Sequence, residues 1–528
     1  FPTLSILIAM KKNTAFLFFS FLLSAAIATA QNRVYVAAGA TGLQNGTSWA
    51  NAYNNLQTAI DMSSSLDTLW VKNGSNKPSK ALGNSTDARS KSFQLKSNVF
   101  IYGGFVGNEI SIAQRTGQNQ TVLSGDLGLV QDTSDNAYHV LVGLNTVGIL
   151  DRIEVAFGAA HGSGTDIVSG FVLERSLGGG VYLDSSNIVF NNCYVHSNFA
   201  KSGAGFYTYK STTDIQNSEV SANIANGSDD NVGGGGGMFN VNSTANSSYS
   251  EFSLNISSGL QGGGAIRNES SNGQYNNVNF YNNTCTDGDG GGAMYNLDSD
   301  HDLNWVNFTR NTTNKEAGAM YNDGSIATIS NATFTNNSSD NGGAMENDGG
   351  SDVVLNRILF TGNSSAGDGG AIHNWKSNIE LTDVIFFQNV AVGDGGAIKN
   401  YNQCSPTITN CTFQENEAGG NGGAFFNERD SHPIITNTLF AKNKAGAKGG
   451  GFYNKAGATP SSPIFTNVTI ANNSAVQSGG GAFDDGLGAS KLRNSIVYGN
   501  IAPAFEDIEA PISSVATDAF KELSGNEL

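Results

Sequence analysis

The 528-residue chain carries 66 glycines, only 8 prolines and a formal net charge of -17. Such acidity excludes a nucleic-acid partner, since phosphate binding needs Lys and Arg in excess, and glycines that recur in register exclude a disordered linker. The four cysteines have no zinc-site spacing.

Met10-Lys11-Lys12 opens a stretch that is apolar from 15 to 27 and ends Ala28-Thr29-Ala30. This predicts a secretory signal peptide over 10–30 and an exported mature protein, with the first nine residues as upstream translation. No other stretch approaches the ~20 apolar residues of a spanning helix, so no transmembrane segment is expected in this chain. The next region, 31–177, reads as a cap and irregular coils. Residues 34–36 form a strand, Gly46-Thr47-Ser48-Trp49 a turn, and 50–63 a helix with Tyr53, Leu56, Ala59 and Ile60 at helical spacing. The helix is expected to cap an open sheet end. Further strands are predicted at 68–71, 98–102, 121–123, 139–144 and 148–155.

From 178 to 500 one short unit recurs twelve times at a period of about 25 to 32 residues. Its first half is a small pair, an apolar residue and, two positions on, usually asparagine. The apolar column reads Met238, Ile266, Met294, Met320, Met345, Ile372, Ile398, Phe425, Phe452 and Phe483, and the polar column runs from Asn240 to Asn454 and then Asp485. Val181 and Phe206 begin the column with Leu183 and Thr208 in the polar slot. The second half is an aromatic or aliphatic residue, among them Phe252, Phe280, Phe308 and Phe334, with Asn three positions later at every coil, from Asn198 to Asn500. Segments such as 327–334 and 377–386 alternate apolar and polar residues, which is strand periodicity. A unit this short cannot close its own sheet and must pair with the next copy. The fold expected is all-β: a parallel β-helix solenoid of about 12 regular coils, with irregular N-terminal coils and a short helical cap. Like residues then stack one strand spacing apart, about 4.8 Å. Phe makes a core column, and Asn a ladder that satisfies turn backbone. Cys193 and Cys411 occupy an inward slot shared with Val278 and Val306. Cys404 and Cys411 lie near enough in sequence to bridge within a coil. Residues 501–528 read as the start of a further segment.

Gly46-Thr47-Ser48-Trp49, Asp67-Thr68-Leu69-Trp70-Val71, Ile101-Tyr102-Gly103-Gly104-Phe105 and Leu123-Ser124-Gly125-Asp126 resemble the opening of right-handed parallel β-helix surface proteins of the Bacteroidetes type. The recurring Gly-Gly-Ala-Ile and Phe-x-x-Asn elements resemble the repeats of polymorphic outer-membrane (Pmp-like) adhesins. The resemblance implies a right-handed β-helix on the cell surface or outer membrane, or released outside the cell. The same architecture hosts lyases, hydrolases and adhesins.

No HExxH, GxSxG or phosphate loop is present. Alternation turns the residue between the apolar slot and the ladder Asn away from the core. This column reads Phe239, Arg267, Tyr295, Tyr321, Glu346, His373, Lys399, Phe426 and Tyr453. Tyr295, Tyr321, Phe426 and Tyr453 are candidate sugar-stacking residues, set against an ordinary solvated face. Glu346, His373 and Lys399 are the alternative catalytic candidates of a pectate-lyase-like polysaccharide-degrading enzyme, a lyase or glycoside hydrolase. Enzymes of that class use carboxylates that hold Ca²⁺, and Asp287, Asp289, Asp368 and Asp394 are the candidate ligands. These also suit tight Asp-Gly turns, and no cofactor is otherwise expected. The reading is a secreted or surface adhesin-like protein without catalysis that binds glycans or surface proteins of host or neighbouring cells.

Overall fold

The computed structural model describes residues 32–509, apart from 117–119, 130–131, 228–232, 260, 456–460 and 486–489, together with the backbone of 521–522. The 10–30 leader stretch and most of 501–528 lie outside the described residues.

One coil shows how the repeat folds. Met320–Asp323 forms a strand, the chain turns at Gly324, and Ile326–Ser330 forms the next strand. A bend at Asn331 leads to Thr333–Thr335, and a second corner at Asn336 leads to Ser338–Ser339. A glycine loop then delivers the chain to Met345–Asp348, directly beside the starting strand. Strands of successive coils pair in parallel with little slippage. Among the described residues they build a 16-stranded sheet (sheet I, the Met320 strands), a 30-stranded sheet that takes two strands from each coil (sheet II), and a 12-stranded sheet of two-residue strands (sheet III). The fold is a parallel β-helix.

Stacking is direct. Phe280 faces Phe308, Phe308 faces Phe334 and Phe334 faces Phe360 in register. Their ring centroids lie 4.7 Å apart and their planes 5°, 9° and 14° from parallel. The rings are fully buried. Beside them the Asn ladder closes the corner into sheet III. Asn337 Oδ1 accepts from the backbone N of Asn311 at 2.9 Å and from its Nδ2 at 3.1 Å. Asn337 Nδ2 in turn donates to Phe308 O and Asn363 Oδ1, both at 3.0 Å. Corner groups otherwise orphaned inside the wall are thereby paired. The other Asn column also runs amide to amide, from Asn240 through Asn268 to Asn400.

In the loop before Met345, the residue just before the small pair and the first member of the pair are glycines for different reasons. At Gly342 the loop adopts φ +56°, and at Gly343 a Cβ would collide with the carbonyl of Gly370 on the next coil. The first position needs a left-handed backbone and the second a close approach. Sheet III packs only small residues inward, such as Ala225, Ser257, Ser365 and Ala391, so the loop can cross tightly above it.

Several expectations need correction. At the last regular coil, Ala482 pairs with Phe452, Phe483 with Tyr453 and Asp484 with Asn454. The apolar slot therefore belongs to Ala482 and the ladder slot to Asp484, one residue before Phe483 and Asp485. Asp484 Oδ1 accepts from Asn454 Nδ2 at 3.1 Å, which fixes that register. The N-terminal helix, α1, spans Leu56–Met62 only. Asn55 caps it by accepting from Thr58 N, and Tyr53 is held in a bridge to Val36. Leu56, Ala59 and Ile60 join the core of the first coils beside Val36, Leu69 and Val71. The strand expected over 148–155 breaks at Arg152, where φ is +55°. All four cysteines are free and buried. Cys404 occupies a turn slot filled by serine in neighbouring coils, and its N donates to Ser431 Oγ at 3.1 Å. Among the described residues no helix is long and apolar enough to cross a membrane.

Candidate functional site

Glu346, His373 and Lys399 are neighbours on sheet I, paired strand to strand, with Tyr321 below and Phe426 above. They point away from the core as strand alternation requires, yet they do not reach solvent. Glu346 is 3% exposed, and His373 and Lys399 are each 8% exposed. Tyr295, Tyr321, Phe426 and Tyr453 are buried as well. The expectation of a solvated face is therefore corrected: the glycine loop entering each sheet I strand folds back over this column. Ala317, from one such loop, packs with Tyr295 and Tyr321. The aromatic rings stack on one another, Tyr295 on Tyr321 at 5.3 Å and 4°, Phe426 on Tyr453 at 5.2 Å and 1°, and Tyr453 on Phe483 at 5.1 Å and 1°.

The charged triplet is paired beneath that cover. Glu346 Oε1 and His373 Nδ1 lie 2.9 Å apart, and Lys399 Nζ donates to Asp368 at 2.5 Å. Lys399 also lies 5.2 Å from the centre of the Phe426 ring. Glu346 Oε2 has no hydrogen-bond partner, and the Glu316 carboxyl of the loop lies alongside. Burial raises the Glu346 carboxyl to about 8. Burial, with the neighbouring Glu346, raises Glu316 to about 8. Burial, with Lys399 nearby, lowers His373 to about 4. The two carboxyls thus keep protons at neutral pH that they would lose in water, and the imidazole beside them stays neutral well into acid.

Two of the four candidate calcium ligands, Asp368 and Asp394, are engaged within the loops. Asp368 Oδ1 accepts from Asp394 N, and Asp394 Oδ1 accepts from Asn421 N, both at 2.7 Å. Asn341 Oδ1 starts the series by accepting from Asp368 N at 3.2 Å. These loop residues form a third ladder that ties glycine loops together. Asp287 and Asp289 lie in the corresponding loop of an earlier coil, where the carbonyl of Asp289 accepts from Gly262 N. Among the described residues no three His, Cys, Asp or Glu side chains are grouped to hold a metal ion.

Sequence reasoning missed an open feature on the other side of the rod. A groove of about 690 Å³ crosses the outer face of sheet II at its early regular coils, lined among others by Tyr194, Asn217, Glu219, Tyr249, Glu251, Asn277 and Asn279. Tyr194, Glu219, Glu251 and Asn279 form one row across four coils. Neither Glu219 nor Glu251 has a side-chain partner among the described residues, although they sit one strand spacing apart. One coil earlier Glu154 bonds His196 Nε2 at 2.9 Å, and the His196 ring stacks on Tyr194 at 3.9 Å. The sequence did carry a signal, since each unpaired Glu immediately precedes a member of the core column, Val220 and Phe252.

Two segments of the chain, 357–374 and 410–428, match the family model described as the Chlamydia polymorphic membrane protein repeat. Each falls within the repeat pattern, and together they include the ladder residues Asn363, Asn374, Asn416 and Asn427. No curated protein matches the chain. Among solved structures it is similar to the catalytic unit of a thermostable alpha-1,3-glucanase from Streptomyces thermodiastaticus. That similarity is 10% in sequence, with a TM-score of 0.31, over 92% of this chain and 72% of the other. Likeness at that level carries no argument about activity.

Proposed function

We propose that this chain is an exported β-helix rod that acts as an adhesin-like, non-catalytic binder of glycans or surface ligands of host or neighbouring cells, at the cell surface, on the outer membrane or outside the cell. The observation that carries the reading is a contrast between two faces. The ionisable and aromatic column of sheet I is covered and paired internally, whereas the sheet II groove offers the carboxylates of Glu219 and Glu251, unpaired among the described residues, beside the exposed ring of Tyr249. Concave sites with a few convergent polar groups beside aromatic rings suit sugar recognition. The polymorphic membrane protein repeat and the apolar leader between Lys12 and Ala28 support the surface setting. The test is a screen of the purified chain against glycan and surface-protein arrays. Saturable binding is expected, and no binding to any member of either array would overturn it.

A second reading, a polysaccharide-degrading enzyme, draws support from the carboxyls of Glu316 and Glu346, raised towards neutral pH beside His373. Such values suit general acid catalysis. A substrate reaches them only if the glycine loop lifts. Depolymerisation of any acidic or neutral polysaccharide, lost in Glu346→Gln, would establish this reading in place of the first.

A further inference from the structure

We infer that the bend of sheet II around Tyr249 and Trp305 is an oligosaccharide-binding edge selective for chains that carry free amino groups. The inference rests on the glycan-binding reading above and specifies its site and ligand chemistry.

Each coil makes a one-residue bend between its two sheet II strands, and the bend residue takes a left-handed conformation, with φ of 50° at Asn217, 55° at Asn277 and 53° at Asn331. Asn tolerates that conformation because its short side chain bonds locally, while a bulky aromatic residue is disfavoured there. Asn fills the slot at most coils, yet Tyr249 occupies it at φ 51° and Trp305 at φ 57°. Packing does not compensate them. Tyr249 is 68% exposed and Trp305 58% exposed. Two large rings are thus held in a costly conformation with their faces in water, the kind of local strain that points to function.

Their placement matches a sugar chain. Tyr249 lies opposite Asn277, and Asn277 opposite Trp305, so the rings are two coils apart. That separation is about 10 Å along the rod, two strand spacings, close to the repeat of two sugar units in an extended chain. Between the rings lies the amide of Asn277. Beside Tyr249, in the groove that it lines, stand Glu219 and Glu251, whose carboxylates lack any charged partner among the described residues. A chain of net charge -17 repels uronate and sulfated glycans. Amino sugars with free ammonium groups answer both the rings and the carboxylates.

The experiment titrates the full chain calorimetrically with deacetylated chitohexaose, fully N-acetylated chitohexaose and a galacturonate hexamer, at low and physiological salt. The deacetylated oligomer is expected to bind at least tenfold more tightly than the acetylated one, and the galacturonate least. The double variant Tyr249→Asn, Trp305→Asn is expected to weaken binding tenfold or more with an unchanged or higher melting temperature, since Asn is the residue this bend prefers. Glu219→Gln with Glu251→Gln should remove the preference for the deacetylated oligomer. Unchanged affinity in the aromatic variant, a preference for galacturonate, or oligolysine binding that equals the sugar and ignores the aromatic variant would each overturn the inference. If some other glycan binds and the aromatic variant leaves it untouched, this site is wrong while the adhesin reading stands. If no glycan of any class binds, both fall.

Discussion

Replacing Asn337 with alanine tests how much the amide ladder contributes to the rod. The side chain accepts from Asn311 N and Nδ2 and donates to Phe308 O and Asn363 Oδ1, all within 3.1 Å and fully buried. Two of the four partners keep another bond, because Asn311 Nδ2 still reaches Phe280 O and Asn363 Oδ1 still receives Asn337 N. The backbone N–H of Asn311 is left without an acceptor. An orphaned buried donor costs about 1–3 kcal/mol, and the three remaining lost bonds about 0.5–1.5 kcal/mol each, so Asn337→Ala is expected to cost about 2.5–7.5 kcal/mol. Asn337→Asp keeps the acceptor and loses the donor, placing a carboxylate against Phe308 O and Asn363 Oδ1. It should therefore be at least as damaging at neutral pH and milder in acid, where a protonated carboxyl donates again. Asp507 shows where the swap is tolerated: it accepts from Asn500 Nδ2 at 2.9 Å at the end of the ladder, with no further rung among the described residues. Because long repeat arrays can lose two-state behaviour, the assay pairs urea unfolding with amide hydrogen exchange across 305–340. A loss below about 0.5 kcal/mol, together with unchanged protection of the Asn311 amide, would refute the reasoning, since an unmade buried hydrogen bond cannot be that cheap.

Other expectations follow from the same packing. Glu316 and Glu346 have folded-state values raised to about 8 from an ordinary 4.5, so the folded chain binds more protons than the unfolded one. Their contribution is intact below about pH 4.5 and is lost as pH rises through 8. Glu316→Gln should therefore raise the melting temperature at pH 8.5 relative to the parent and leave it unchanged near pH 4.5; equal shifts at both pH values would contradict the assignment. His373, lowered to about 4, acts in the opposite direction, so His373→Gln should protect the fold between pH 6.5 and 4 if the imidazole is held neutral. All four thiols are buried and free, and burial pushes Cys193, Cys285 and Cys411 up to about 12. An aromatic disulfide reagent should label none in the native chain and four after unfolding; rapid native labelling would contradict the packing. Calcium should leave the melting temperature unchanged, since Asp368 and Asp394 already accept backbone hydrogen bonds, and a calcium-dependent rise that is lost in Asp394→Asn would restore the metal reading.

Much of the architecture was legible because a stacked unit must repeat whatever its interior requires. Phe280, Phe308 and Phe334, and Asn283, Asn311 and Asn337, recur since each packs against its own copy. The register slip at Phe483 has a simple origin. An aromatic residue suits both the inward apolar slot and the covered outer column, and only the pairing of Asp484 with Asn454 distinguishes them. The burial of Glu346, His373 and Lys399 was not legible. Alternation says which side of a strand a residue faces, and says nothing about a loop that later lies across it. The serine ladder through Ser271, Ser299 and Ser325 escaped notice because its distance from the preceding Asn varies, three residues after Asn322 but four after Asn347. Tyr249 and Trp305 were passed over because they interrupt a column of Asn, and only the backbone angle shows what that interruption costs.

Under the proposed reading, recognition lies on the open bend of sheet II, and the covered column of sheet I is structural. Hydrogen–deuterium exchange of the full chain with and without deacetylated chitohexaose separates these directly. Slowed exchange confined to segments 217–219, 249–251, 277–279 and 305–307 is the predicted footprint. Slowed exchange in the loops at 313–318, 340–346 and 366–373, with the bend unaffected, would contradict it.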